Sequence, residues 1–394
     1  MKRIALFLLC ISIAVLSFGQ DCFDPPDGHT LYTTTDPLYN PEAITGFVTF
    51  DSTVSGVWTI LDSTGTAGAT FISNSGRTST LNIRGVGTIE VEGVATDIND
   101  LLNPDSCEQT FNLVEYVPNV APNPSLDDFC PLNIVLVIDE SGSIEDNMST
   151  DSIRAAVMTL ANALNGSGSK MAIVEFETTA RRVEIGTDSA LQDINGAFIA
   201  NLNTYLNTEY NPTENVLQLI GGTNWEGALR KADEVEDADF IIVLTDGRPT
   251  FYSVNGNSMG VAGEGLEFDL TALKEASDVA NMIKMAGKHM FVVGLDFPAD
   301  VQPIIDISGD DEFVMGDNVL SLLTKDYTVV DPNDLSEIFA QIAMLCDVPE
   351  TVPTVGEWGL ICLGLFLMII GVVYMRQVDF EWQERGKLLA NGVS

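Results

Sequence analysis

Histidine is almost absent from this 394-residue chain, which has only His29 and His289. Zinc motifs and hydrolase triads both need imidazole, so an enzymatic reading has little to build on. Basic residues are scarce too: 18 Lys and Arg stand against 57 Asp and Glu, for a formal net charge of -39. That balance argues against nucleic acid or an anionic membrane surface as a partner. The one stretch that faintly suggests a phosphate loop, NGSGSK at 165–170, lacks the Gly-Lys-Ser order and reads as a plain turn. Core-forming residues are not lacking. With 45% apolar and only 19% charged residues, the composition is that of a folded protein, and the length suits two domains with accessory segments.

Cysteine is limited to six residues, which divide by position once both ends of the chain are read. Residues 1–19 carry Lys2 and Arg3, an apolar run from Ile4 to Leu16 and then Ser17-Phe18-Gly19, the pattern of a cleaved secretory leader. Residues 358–375, WGLICLGLFLMIIGVVYM, are uncharged, long enough to span a bilayer and framed by Trp358 and Tyr374, with Arg376 next. A leader followed by one stop-transfer helix predicts an exported, single-pass protein, anchored at least transiently in the membrane through its C-terminal helix. Cys10 falls in the leader and Cys362 in the span, leaving Cys22, Cys107, Cys130 and Cys346 on the exported side, where disulfides persist. Three pairings are open; position favours Cys22 with Cys107 and Cys130 with Cys346, each pair bracketing one domain.

Residues 20–117 place short runs (Ala43–Phe50, Gly56–Leu61, Ala69–Ser73, Thr78–Ile83, Thr88–Val94) between turn residues. The pattern predicts a small all-β sandwich, resembling the immunoglobulin-like modules of bacterial surface proteins. Residues 118–129, PNVAPNPSLDDF, have three prolines and no periodicity and read as a semi-stiff linker. From 130 to 347 strands and helices alternate. Helices are expected over 144–164, 190–206, 225–236, 268–286, 301–307 and 333–345, and strands ending near Ile138, Phe176, Ile185, Thr245 and Leu295. This predicts a doubly wound α/β fold with a mostly parallel sheet and one antiparallel edge.

Three stretches of that region carry chemistry. Asn133–Ile138 is a brief apolar run suited to a strand buried on both faces, and Asp139, Ser141 and Ser143 follow at its end. They put a carboxylate and two hydroxyls on one loop, hard oxygen donors suited to Mg2+. Gly221–Gly227 (GGTNWEG) offers Thr223, and Phe240–Pro249 (FIIVLTDGRP) is a second apolar run ending at Asp246. Each has a local explanation as well: Ser143 with Asp146 as a helix start, Thr223 with Glu226 as a capping box, Asp246-Gly247 as a turn. In this order and combination they resemble the metal-ion-dependent adhesion site of von Willebrand factor type A domains. The resemblance covers Cys130 to Cys346, and all five positions of that site are present: Asp139, Ser141, Ser143, Thr223 and Asp246.

The resemblance implies a Rossmann-like type A fold and a bound Mg2+, or Mn2+ or Ca2+ in its place. It implies that Ser141, Ser143 and, with ligand bound, Thr223 touch the metal, with Asp139 and Asp246 binding directly or through water. The partner it implies is a protein offering an acidic side chain. In a doubly wound sheet the first and fourth strands lie together at the crevice where the winding reverses, which is where Asp139 and Asp246 would sit. Tyr210, Trp225, Phe251 and Tyr252 are candidates for the ligand rim, Trp225 being equally suited to burial, and Gly247–Gly265 is a long loop of the functional kind. A Cys130–Cys346 bond would fasten the last helix beside the first strand and give a largely preformed domain.

Before the apolar span, Val352–Gly359 (VPTVGEWG) resembles the IPTL type of C-terminal sorting signal, which an exosortase-like processing enzyme reads. Val352 stands in place of Ile, and the basic part is thin, Arg376, Arg385 and Lys387 being mixed with Asp379, Glu381 and Glu384; a plain anchor is the alternative. The function expected is that of an exported bacterial adhesion or ligand-binding protein at the cell envelope or surface, not an enzyme. The alternative is an envelope assembly or regulatory subunit whose type A domain docks on a fixed partner in a membrane complex.

Overall fold

Runs that are apolar at every position can be satisfied only inside a sheet covered on both faces. In a computed structural model of the chain three such runs, and one that is nearly so, lie side by side. The structure describes residues 23–24, 30–35, 45–50, 56–71, 75–76, 78–95, 105–126, 130–212, 221–253, 261–263, 268–298, 300–346 and 367–368. Two units are distinguished, one ending at Cys346 and one comprising residues 347–394.

The first unit opens with nine strands: β1 (Phe23–Asp24), β2 (Thr30–Thr33), β3 (Thr45–Phe50), β4 (Gly56–Ser63), β5 (Gly68–Phe71), β6 (Ser75–Gly76), β7 (Thr78–Arg84), β8 (Gly87–Ala95) and β9 (Asp105–Glu115). Among the described residues they form two sheets, ordered β1-β3-β7-β5 and β2-β9-β8-β4-β6. All their pairings are antiparallel except that of β2 with β9. Alternation sets the inner face: Trp58, Ile89, Val91, Phe111 and Leu113 are buried, while Val57, Leu61 and Val114 face outward.

The α/β part follows with β10 (Asn133–Asp139), β11 (Lys170–Phe176), β12 (Ala180–Val183), β13 (Gln192–Asp193), β14 (Phe240–Thr245), β15 (Tyr252–Ser253), β16 (Val261–Ala262), β17 (His289–Leu295) and β18 (Tyr327–Val330). Its helices are α1 (Gly142–Asp146), α2 (Thr150–Ala163), α3 (Gly196–Thr208), α4 (Trp225–Asp233), α5 (Leu270–Met285), α6 (Gln302–Ser308) and α7 (Leu335–Met344). The main sheet runs β12-β11-β10-β14-β17-β18. It is parallel apart from β12 and β13, which both run antiparallel to β11. Side chains leave β10 alternately: Ile134, Leu136 and Ile138 pack with α2, α3 and α7, and Val135 and Val137 with α4 and α5.

The expected doubly wound arrangement is therefore present, with departures in detail. The helix expected over 144–164 is split into α1 and α2 at Met148, whose φ of 55° lies in the left-handed region. The helix expected from 190 starts at Gly196, because Asn195 caps it by accepting from the amides of Ala197 and Phe198. Strand β18 was not expected, nor was the β15–β16 hairpin inside the 247–265 loop.

Residues 118–126 do not hang as a linker; polar groups bond them to the α/β part. Asn119 O accepts from Asn281 Nδ2 at 2.5 Å, and Asn281 Oδ1 accepts from Ala121 N. Asn123 closes a two-way bond with the main chain of Met290, and Leu126 N donates to Leu323 O. The β-rich part also touches α5 and α6: Tyr32 N donates to Thr271 Oγ1, and the Tyr116 hydroxyl donates to the buried carboxylate of Asp306 at 2.7 Å.

Cys130 and Cys346 are joined, Cα to Cα 4.9 Å. The expected pairing of Cys22 with Cys107 lies outside the described residues, as does the leader at 1–19. The sorting motif and the apolar span at 358–375 lie outside them too, apart from Leu367 and Met368, which are helical and exposed. No described helix is long and apolar enough to cross a membrane.

Candidate functional site

Two neighbouring parallel strands, β10 and β14, deliver the two carboxylates. Ile138 pairs with Leu244, so the strands end together, Asp139 closing β10 and Asp246 following β14. Asp139 is fully buried and both its oxygens are occupied: Oδ1 accepts from Ser141 N at 2.8 Å, and Oδ2 from Thr245 Oγ1 at 2.7 Å. The loop then turns so that Ser141 Oγ lies 3.1 Å from Ser143 Oγ, and Ser143 Oγ donates to Asp246 Oδ1 at 2.7 Å. Asn147 Nδ2 donates to the other oxygen of Asp246 at 2.9 Å.

Thr223 reaches the same place from a third loop. Gly142 N donates to Gly221 O, and Gly221 N to Glu177 Oε2, which pins that loop against the first. A methyl group built on Gly247 would sit 3.7 Å from Ser143 Oγ and 3.8 Å from Thr223 Oγ1, so both hydroxyls lie close to one point beside Gly247. Gly222 is required beside it, because a Cβ there would meet the Phe251 ring at 2.2 Å.

The structure thus brings four of the five expected residues into one hydrogen-bonded chain and sets the fifth beside it. Burial, then the nearby Asp246, pushes the Asp139 carboxyl up to about 7, against the bonds from Ser141 and Thr245. Burial also raises Asp246. Among the described residues neither carboxylate forms a salt bridge. Two buried carboxylates with no cation beside them, and hydroxyls as the remaining donors, fit a hard divalent ion such as Mg2+ or Ca2+ and are poor for a soft one.

The four aromatic residues expected at the rim are not there. Tyr210, Trp225, Phe251 and Tyr252 are each 1–2% exposed. Two of them work from behind: the Tyr210 hydroxyl donates to Asp139 O at 2.7 Å, and Trp225 Nε1 donates to Thr245 Oγ1 at 3.2 Å. Aromatic rings bury too much area to be left in water when a core lies within reach. The exposed residues nearest the site on the first loop are Glu145, Asp146, Asn147 and Met148, the last 85% exposed. Sequence reasoning also passed over Thr245 and Asn147. Thr245 had a signal, its place directly before Asp246; Asn147 had none.

The family model of the von Willebrand factor type A domain matches residues 133–325. No curated protein matches the chain. Solved structures similar to it include the vWF domain of the type V pili tip protein Mfa5 from Porphyromonas gingivalis, with 15% identity, 60% of this chain and 99% of that one covered, and a TM-score of 0.42. The pilus adhesin SpaC from Lactobacillus rhamnosus GG gives 16% identity, 73% and 34% coverage, and a TM-score of 0.40. A von Willebrand factor type A protein from Catenulispora acidiphila gives 15%, 74% and 50%, and 0.37. The chain spans about half of this last protein and a third of SpaC. The sheet that sets β14 beside β10 and the family match agree, and residues 133–325 form a von Willebrand factor type A domain.

Proposed function

We propose that this domain holds a Mg2+-class ion at Asp139, Ser141, Ser143, Thr223 and Asp246, and that the ion takes up a carboxylate from a partner protein. The observation that carries the reading is the pair of buried carboxylates, tied through Ser143 and without a basic partner among the described residues. When bound, the ion would supply a Lewis-acidic position for an oxygen ligand. The chain's own residues set its charge: Asp139 and Asp246 neutralise two positive charges and the three hydroxyls add none, so the site gains from one more carboxylate. The bonds from Ser141 N and Thr245 hold Asp139 as an acceptor, and the Ser143 hydroxyl is already aimed at Asp246.

With the leader and apolar span of the sequence, the reading is of an exported binding or adhesion protein at the cell surface, with the partner met on the face that carries Met148. Isothermal titration of the full chain with Mg2+, Mn2+ and Ca2+, beside Asp246→Ala, tests it. We expect saturable one-site binding by the parent and none by the variant. An affinity that Asp246→Ala leaves unchanged would place the ion elsewhere and defeat the reading.

A further inference from the structure

We infer that Trp225 and Thr245 form a positioning relay that sets the cation affinity of Asp139 and couples it to the Thr223 loop. The inference rests on the metal reading above and adds to it two residues that would not touch the ion.

Thr245 is the last residue of β14 and is fully buried, and Trp225 opens α4 with 1% exposure. An indole N–H can only donate, so the bond from Trp225 Nε1 at 3.2 Å uses a lone pair of Thr245 Oγ1 and leaves the hydroxyl proton to be given away. Two acceptors are in reach, Asp139 Oδ2 at 2.7 Å and Gly247 O at 3.1 Å. The carboxylate is nearer and charged, so the proton goes there. Asp139 Oδ2 is thereby fixed toward β14, and with Ser141 N on Oδ1 the carboxylate plane is set from both sides.

The other end of the relay lies two residues from Thr223. Thr223 O accepts from the amides of Thr250 and Phe251, and Asn224 caps α4 through Gly227 N, so the start of that helix and the Thr223 loop are one piece. Trp225 is held in turn by stacking on Phe297, ring centres 6.3 Å apart. A shift of the Thr223 loop would then carry the indole, and through Thr245 the donor on Asp139. Partners of this kind around metal ligands typically govern about 10- to 100-fold in metal affinity.

The test uses the full chain and three variants, Thr245→Val, Trp225→Phe and Thr245→Ser, each titrated with Mg2+ and melted without it. Thr245→Val keeps the shape and deletes the donor, and should weaken Mg2+ binding by about 10- to 100-fold. Trp225→Phe should weaken it by less, and Thr245→Ser should restore the parent value. A readout that packing alone would not move is the indole 15N–1H signal of Trp225, identified by its loss in Trp225→Phe; it should shift on adding Mg2+ to the parent and stay still in Thr245→Val. If the parent binds Mg2+ and both Thr245→Val and Trp225→Phe bind it equally well, or if the indole signal ignores the ion, the relay is overturned and the metal reading stands. If the parent binds no ion, both fall.

Discussion

Lys284, on the inner face of α5, is buried, with its Nζ donating to Ser308 O at 3.2 Å. Burial pulls its ammonium down from 10.5 to about 8, against Asp326 and Asp306, which hold it up. A folded value below the unfolded one means the unfolded chain binds the proton more tightly, so this group makes stability rise with pH between about 8 and 10.5 and costs the most below 8. The cost is on the order of 3 kcal/mol, offset by roughly 1 kcal/mol for the bond to Ser308. Lys284→Met should therefore be more stable than the parent in urea unfolding at pH 7, with the gap closing by pH 10.5. An equal gap at both values would refute the assignment. At this scale the sequence could be read where candidate oxygen donors recur in order: Asp139, Ser141 and Ser143 on one loop carry little alone and point to a site only together with Thr223 and Asp246. It could not be read where a role depends on what folds behind: Tyr210, a rim candidate, and Trp225, equally suited to rim or core, both brace the site from the core.

The break between α1 and α2 falls at a residue in the left-handed region. Met148 holds φ at 55° with Met148 N bonded to Glu145 O and Ser149 N to Ile144 O, and its side chain is 85% exposed. A left-handed L-residue costs about 1 kcal/mol that glycine does not carry. Met148→Gly should leave stability unchanged or raise it by up to about 1 kcal/mol in thermal unfolding, and a fall would assign the methionine a packing role. Nothing in IEDNMST signals that break, for it contains neither glycine nor proline. Strand β17, by contrast, coincides with the run His289–Leu295 that periodicity marks out. Strand β18 escaped because four residues carry too little pattern to be told from a loop, and only pairing with β17 makes them a strand.

For the first unit as a whole, composition and local pattern hide the assembly. The deficit of basic residues could be counted directly, but the prolines at 118–124 suggested a spacer, while Asn119 and Asn123, unremarkable in sequence, bond that segment to α5 and β17. The Tyr116–Asp306 bond adds a third tie. We expect the β-rich part and the type A domain to unfold in one calorimetric transition of the full chain, and Asn123→Ala to lower its midpoint; two separate transitions would show the ties to be weak. The Cys130–Cys346 bond closes the α/β part at the end of β10 remote from Asp139, across a separation of 216 residues. A pull on the chain beyond Cys346 therefore arrives at the root of β10 without first peeling α7. Roughly 70 nm of contour length, at about 3.4 Å per residue, stays locked inside the loop. Under tension the domain is a tether of fixed length, and any yielding must come from the chain outside it.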